Sequence, residues 1–311
     1  MFFTISNILK LSLSLGTLVI AKTVHPSAFT ASKAIDVAAI SSASENIKQI
    51  PAHATYPISI KNYKDKSTIY SDWASFAEGA AFVFKADMDT DCDGVNYKCD
   101  GNADGQPLTN WGALSAFEVP YIVIPQDFLE ANPTAIPGNN VAAVICNNKM
   151  FYAILGDTNG NNRQVTGEAS WLLARSCFPE ENLSGSRGHD EINVTYILFT
   201  GPEAVLPSSS INEHYITDFG KLRSMGNHLI ASLMKNLGIK PLGGSSSSPS
   251  KDDDIPTLPD VPQENGDGRN DEEGDVRSGS NDEDIDSAAS AVTAPEVIAL
   301  FVAVLALVTC V

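Results

Sequence analysis

Positive charge is scarce in this chain: 20 Lys and Arg stand against 38 Asp and Glu, for a net charge of −18 over 311 residues. Such a chain repels a phosphate backbone and attracts cations, so nucleic acid is set aside as a partner. Cysteine is sparse, and no two of the five stand in C-x-x-C spacing, which removes the usual sequence sign of a zinc site. No G-x-S-x-G elbow occurs, so the serine-hydrolase arrangement is excluded. No G-x-x-x-x-G-K-[ST] phosphate loop and no H-E-x-x-H pair are present either. Long apolar runs are confined to residues 11–20 and 297–311, and both fall short of the roughly 20 residues of a membrane-spanning helix.

The two ends read as processing signals. Residues 1–21 carry one early cation, Lys10, then an apolar stretch and a small residue at Ala21, as a cleaved secretory signal does. At the other end small residues at 287–290 precede a short spacer and an uncharged apolar tail. That order is expected of a GPI-attachment signal, with Ser287 the attachment residue and residues 291–311 the hydrophobic signal tail. The mature protein would then have no transmembrane helix and would sit at the cell surface or in the cell wall. Residues 241–290 are rich in Ser, Asp, Pro and Gly, and between 245 and 290 fourteen acids meet three bases. This segment buries too little to order itself and reads as an acidic stalk. Residues 22–78 read as an N-terminal leader with a short helix near 31–50, and residues 79–240 as one domain.

Secretion agrees with the remaining cysteines. Once Cys310 leaves with the tail, Cys92, Cys99, Cys146 and Cys177 form an even set, as expected in an oxidising compartment. Of three possible pairings we expect Cys92–Cys99, closing a short polar loop, and Cys146–Cys177, stapling a hairpin to a helix. Sequons at Asn182 and Asn193 permit N-glycosylation.

Between these landmarks lie short β-branched runs at 79–84, 119–124, 141–146, 150–155 and 194–200. Asn147-Asn148-Lys149 joins two of them as a hairpin, since asparagine tolerates positive φ. Residues 216–237 carry apolar side chains at spacings of three and four, an amphipathic helix expected to pack on the sheet. Five β-rich runs with few helices imply a mainly β (α+β) fold, an antiparallel, barrel-like sheet with peripheral helices.

Chemistry concentrates in residues 150–177. A strand-like run ends at Gly156-Asp157, a polar loop follows, and Glu168 stands where a helix is expected to begin. Two carboxyl groups across a cleft are the minimum needed to cleave a glycosidic bond: one protonates the leaving oxygen, the other activates water or attacks. Asp87, Asp89 and Asp91 alternate along an extended chain and so share a face, where they could meet ammonium groups. From Asp89 the spacing also mimics a calcium loop, with Asp93 and Asp100 as further ligands, but a strand precedes it and Asp replaces Glu at the twelfth place. His189, Asp190 and Glu191 form a further polar trio.

Four blocks occur in order: ADMDTDCDG at 86–94, GDTNG at 156–160, TGEASxxLAxxCF at 166–178 and GHDExxVxYIxFTG at 188–201. Together they resemble the fungal chitosanases of glycoside hydrolase family 75, over roughly residues 80–237. The resemblance implies an endo-acting hydrolase of β-1,4 links in partly N-deacetylated chitin, inverting at the anomeric carbon, with Asp157 and Glu168 as the catalytic pair. Glu168 is expected to be the acid, raised by an apolar helix beside it, and Asp157 the base in a more solvated loop. The resemblance adds Asp87, Asp89, Asp91, His189, Asp190 and Glu191 as substrate-binding candidates. Chitosan, a polycation, is the implied partner; no cofactor or metal is implied, and a monomer is expected. Two other readings stay open: a non-catalytic wall-polysaccharide-binding or calcium-binding surface protein, and a hydrolase of another amino-sugar polymer.

Overall fold

The protein is described by a computed structural model over residues 23–59, 63–103 and 105–243. Residues 1–21, Ser287, the 291–311 tail and nearly all of the stalk lie outside the described residues. No helix among the described residues is long and apolar enough to cross a membrane.

In chain order the elements are α1 (Val37–Ser44), β1 (Thr55–Pro57), β2 (Lys66–Thr68), β3 (Ala81–Asp91), β4 (Tyr121–Pro125), α2 (Gln126–Ala131), β5 (Val141–Cys146), β6 (Lys149–Asn159), β7 (Glu168–Ser170), α3 (Trp171–Cys177), β8 (His189–Phe199) and α4 (Phe219–Asn236). β1 and β2 form a small antiparallel sheet of their own. The other six strands close into a barrel in the order β3-β7-β4-β6-β5-β8.

The barrel is mixed, not antiparallel as the sequence suggested. β3 runs parallel to β7 and β4 runs parallel to β6, while β4–β7, β5–β6, β5–β8 and β3–β8 are antiparallel. Parallel neighbours need a crossover. β4 reaches β6 by way of α2 and β5, and the three-residue β7 is inserted between β3 and β4. A run of β-branched residues carries no mark of its neighbours' direction, so this order was not legible.

The β5–β6 hairpin forms where expected. Cys146 pairs with Lys149, and Asn147 and Asn148 hold φ of 46° and 56°, the two-residue turn whose twist matches flanking strands. β5 is buried along its whole length, as befits a strand covered on both faces. α4 opens on Asp218, whose carboxylate accepts the Lys221 amide at 2.9 Å. Its buried face (Leu222, Gly226, Leu229, Ile230, Leu233) lies over β5 and β6. Gly226 sits flush on the Tyr152 ring, and Tyr152 donates its hydroxyl to Asn227 at 2.8 Å.

Residues 23–59 and 63–78 take a larger share in the fold than a leader would. Phe29, Ile40, Ile69 and Trp73 are buried in the same core as the barrel strands. Both expected bridges are present: Cys92–Cys99 closes the loop after β3, and Cys146–Cys177 ties the end of β5 to α3.

A methyl group at Gly226 would overlap the Tyr152 ring. Ala gains about 1 kcal/mol in helix propensity over Gly, but overpacking a close contact costs about 1–3 kcal/mol. Gly226→Ala is therefore expected to lower Tm by several degrees, read by thermal denaturation; an unchanged or raised Tm would show that the helix lies further from the sheet.

Candidate active site

One register row crosses four barrel strands. Asp89 on β3 pairs with Glu168 on β7, Glu168 pairs with Val123 on β4, and Val123 pairs with Asp157 on β6. Cross-strand partners project from the same face of a sheet, so three carboxyl groups share one face. Glu168 and Asp157 are separated by one intervening strand, which at about 4.8 Å per strand places their backbones about 10 Å apart.

A bulge makes this row possible. Ile122 pairs with Leu155 but Val123 pairs with Asp157, so Gly156 is left over. Without that extra residue Asp157 would turn to the opposite face. A Cβ at Gly156 would come within 2.6 Å of Tyr121 Cβ, which is why glycine occupies the bulge.

The placement of both acids differs from the expectation. Asp157 lies inside β6, only 5 % exposed, not in a solvated loop. Glu168 opens a strand, not a helix; α3 starts at Trp171, with the Ser170 hydroxyl accepting the Leu173 amide at 3.4 Å. Pairing with both Asp89 and Val123 holds Glu168 extended. Asp157 Oδ1 accepts the Thr158 amide at 2.8 Å and the Asn110 amide at 3.0 Å. Glu168 Oε2 accepts from Asn159 Nδ2 at 3.0 Å.

Residues 88–232 match the family described as fungal chitosanase of glycosyl hydrolase group 75. Endo-chitosanase B of Aspergillus oryzae is 38% identical over 195 residues, covering 53% of this chain and 80% of that protein. An endo-chitosanase of Aspergillus fumigatus is 35% identical over 181 residues, covering 50% of this chain and 74% of that protein. This chain belongs to the fungal chitosanases of group 75. Endo-chitosanase C of Aspergillus oryzae is 62% identical over 211 residues, 68% of this chain; the match spans 55% of that longer protein.

In this group-75 chain the carboxyls crowd one another in a setting that ranges from half-buried (Glu168, Asp89, Asp91) to buried (Asp87, Asp157). Burial pushes Glu168 up to about 8; the Asn159 amide pulls it back, while Asp89, Asp157 and Asp93 push further. Burial raises Asp157 to about 7, opposed by the Thr158 and Asn110 amides. Asp87, 5 % exposed, is raised to about 8 by burial and then by Asp89. Asp91 is raised well above the carboxylate range by burial and by Asp93. Asp87 is packed against Gly167, where any side chain would strike its Oδ1.

The trio at 189–191 divides. His189 Nδ1 faces Glu181 at 2.9 Å, its Nε2 faces Asn193 Oδ1 at 2.9 Å, and its ring stacks on Phe178 at 3.6 Å. Both nitrogens are engaged, so His189 braces the start of β8. Glu191 is exposed and accepts from Asn193 Nδ2 at 2.8 Å. Asp190, exposed, is close enough to raise Asp87. Asn182 is exposed with φ of 48°; Asn193 is exposed too, but its amide holds Glu191.

The calcium-loop spacing is not realised as a loop. Asp89 and Asp91 lie in β3, Asp91 accepts the Asp93 amide at 2.7 Å, and Asp93 accepts the Gln106 amide at 2.8 Å. Among the described residues no group of three or more His, Cys, Asp or Glu is placed to hold a metal. Sequence reasoning left out Asn159 and Asn110. Asn159 stands within the GDTNG block and was visible there. Asn110 acts through its backbone and carries no side-chain signal.

A carboxyl whose folded-state value is raised binds more protons folded than unfolded between its two pKa values, so stability falls as pH rises across that window. For Glu168 the window runs from the usual carboxylate range to about 8. The Tm of Glu168→Gln minus that of the unaltered protein is expected to be near zero at pH 4.5 and to grow by several degrees by pH 8. A difference independent of pH would contradict the burial of this group.

Proposed function

We propose that this chain is an endo-chitosanase that hydrolyses β-1,4 links between glucosamine units with inversion, Glu168 serving as general acid and Asp157 as general base. The observation that carries the reading is the pair of raised carboxyls held on one face with a single strand between them. Inverting glycosidases separate their carboxyls by about 6.5–9.5 Å to admit a water, whereas retaining enzymes hold them at about 5–5.5 Å. Residues two strands apart suit the wider spacing.

The hydrogen bonds support this division of roles. Two backbone amides donate to Asp157 and favour its charged form, as a base requires. Glu168 receives one amide and faces more negative neighbours, which favours its protonated form, as an acid requires. In the reaction Glu168 gives its proton to the leaving glycosidic oxygen while Asp157 takes one from the attacking water. The C1–O bond breaks as the water oxygen bonds to C1 from the opposite side, and the carboxyls exchange their protonation states. Of Asp87, Asp89 and Asp91 on β3, we assign the ammonium contacts of a glucosamine chain to Asp89, which shares the face of the pair, since burial holds Asp87 and Asp91 toward their neutral forms. The two disulfides agree with an oxidising compartment, and we extend the proposal to secretion and a cell-surface anchor at Ser287.

Glu168→Gln and Asp157→Asn are each expected to lower reducing-end release from chitosan by about 10²–10⁴-fold, with circular dichroism unchanged. Turnover near that of the unaltered protein would reject the pair. Proton NMR of the first products should show the α-anomer; a β-anomer would place the second carboxyl at bonding distance and reject inversion.

A further inference from the structure

A cleft of about 570 Å³ takes part of its lining from the loop between β6 and β7. Another part of the lining is linked to Asp157 by a chain of contacts. The Asn110 amide donates to Asp157, and the Asn110 side chain donates to Gln126 Oε1 at 3.3 Å. The Thr158 hydroxyl donates to the same oxygen. Next along α2, the Asp127 amide donates to Gln164 Oε1 at 2.9 Å, and Gln164 Nε2 returns a bond to Asp127 Oδ1 at 2.8 Å. Asp127 and Gln164 both line the cleft. Tyr56, Tyr63 and Lys66, from the small β1–β2 sheet and its connection, line it as well. These three residues precede the stretch matched by the family.

The two regions differ in charge. The catalytic row and its surroundings carry Asp87, Asp89, Asp91, Asp93, Asp157 and Glu168. The cleft carries two cations, Lys66 and Arg163, against one carboxylate, Asp127, which already accepts the Gln164 amide. Arg163 is held over the Tyr63 ring at 4.1 Å, on a backbone with φ of 79°. Asn161 and Asn162 add neutral amides to the lining. A protonated amine is repelled here, whereas a neutral acetamido group can both donate to and accept from amides.

We propose that this cleft is a binding subsite for an N-acetylated sugar unit of the polymer, so that the protein prefers a chain acetylated at the position seated there and free-amine at the units over the acidic row. The inference rests on the chitosanase reading and adds to it where specificity is set. Lys66 and Arg163 select against the free amine; Asn161, Asn162 and Gln164 offer the polar contacts.

The test compares a six-unit glucosamine oligomer with two oligomers carrying one N-acetylated unit at either end. The better end-acetylated oligomer is expected to show kcat/KM about five- to tenfold above the glucosamine oligomer, mostly through KM, as the repulsion of two partly exposed cations allows. Lys66→Gln with Arg163→Asn should erase the preference; asparagine tolerates the positive φ at that position. Arg163→Lys should keep it. Equal rates on all three oligomers, or a preference that survives loss of both cations, would overturn the proposal. If the unaltered protein cleaves none of them, the hydrolase reading fails separately. The subsite is then judged by calorimetric binding to the Glu168→Gln protein: the same ranking of Kd, lost with both cations, upholds it, and no ranking overturns it.

Discussion

Val123 hydrogen-bonds in register with Asp157 on one side and Glu168 on the other, and the site depends on that double pairing. A single central strand sets the gap between two carboxyls, and the gap decides whether a water fits between them and a sugar link. The pairing needs β7 to lie between β3 and β4 in its observed register, and it needs Gly156 to bulge out of β6. Either change of register would send one acid to the other face of the sheet.

Burying like charges is costly, and the surroundings show how the cost is met. Carboxyls in such a row shift toward their neutral forms rather than remain charged, and Asp87, Asp91, Asp157 and Glu168 all shift that way. Asp157 is pulled partly back by two backbone amides, one of them from the Asn110 turn. The frame around the row is correspondingly rigid. Cys146–Cys177 ties the end of β5 to α3, which begins right after β7, and Cys92–Cys99 closes the chain directly after Asp91. Loops could not hold groups that repel one another to one geometry; strands paired on both edges can.

Much of this was legible in the chain. The Asn147-Asn148 turn, the α4 periodicity, the cysteine pairing and the ordered motif blocks all declare themselves locally. The parts that were not legible are those set by distant partners. Glu168 precedes a helix-like apolar run, so the sequence places it on a helix; only its pairing with Asp89 and Val123, 79 and 45 positions away, keeps it extended. Asp157 is followed by Thr-Asn-Gly, which reads as a turn, yet β4 keeps the chain in the sheet as far as Asn159. Barrel closure and strand direction are relations between elements, and Phe29, Ile40, Ile69 and Trp73 enter the core through packing no short pattern announces.

The proposed hydrolysis requires that Glu168 and Asp157 face each other closely enough to feel one another's charge. Carboxyl-carbon NMR titration of the two residues, repeated after Asp157→Asn, measures that directly. The account predicts that both titrate well above the ordinary carboxylate range, Glu168 above Asp157, and that Glu168 moves down when Asp157 loses its charge. Two ordinary titrations, each indifferent to the other residue, would contradict it.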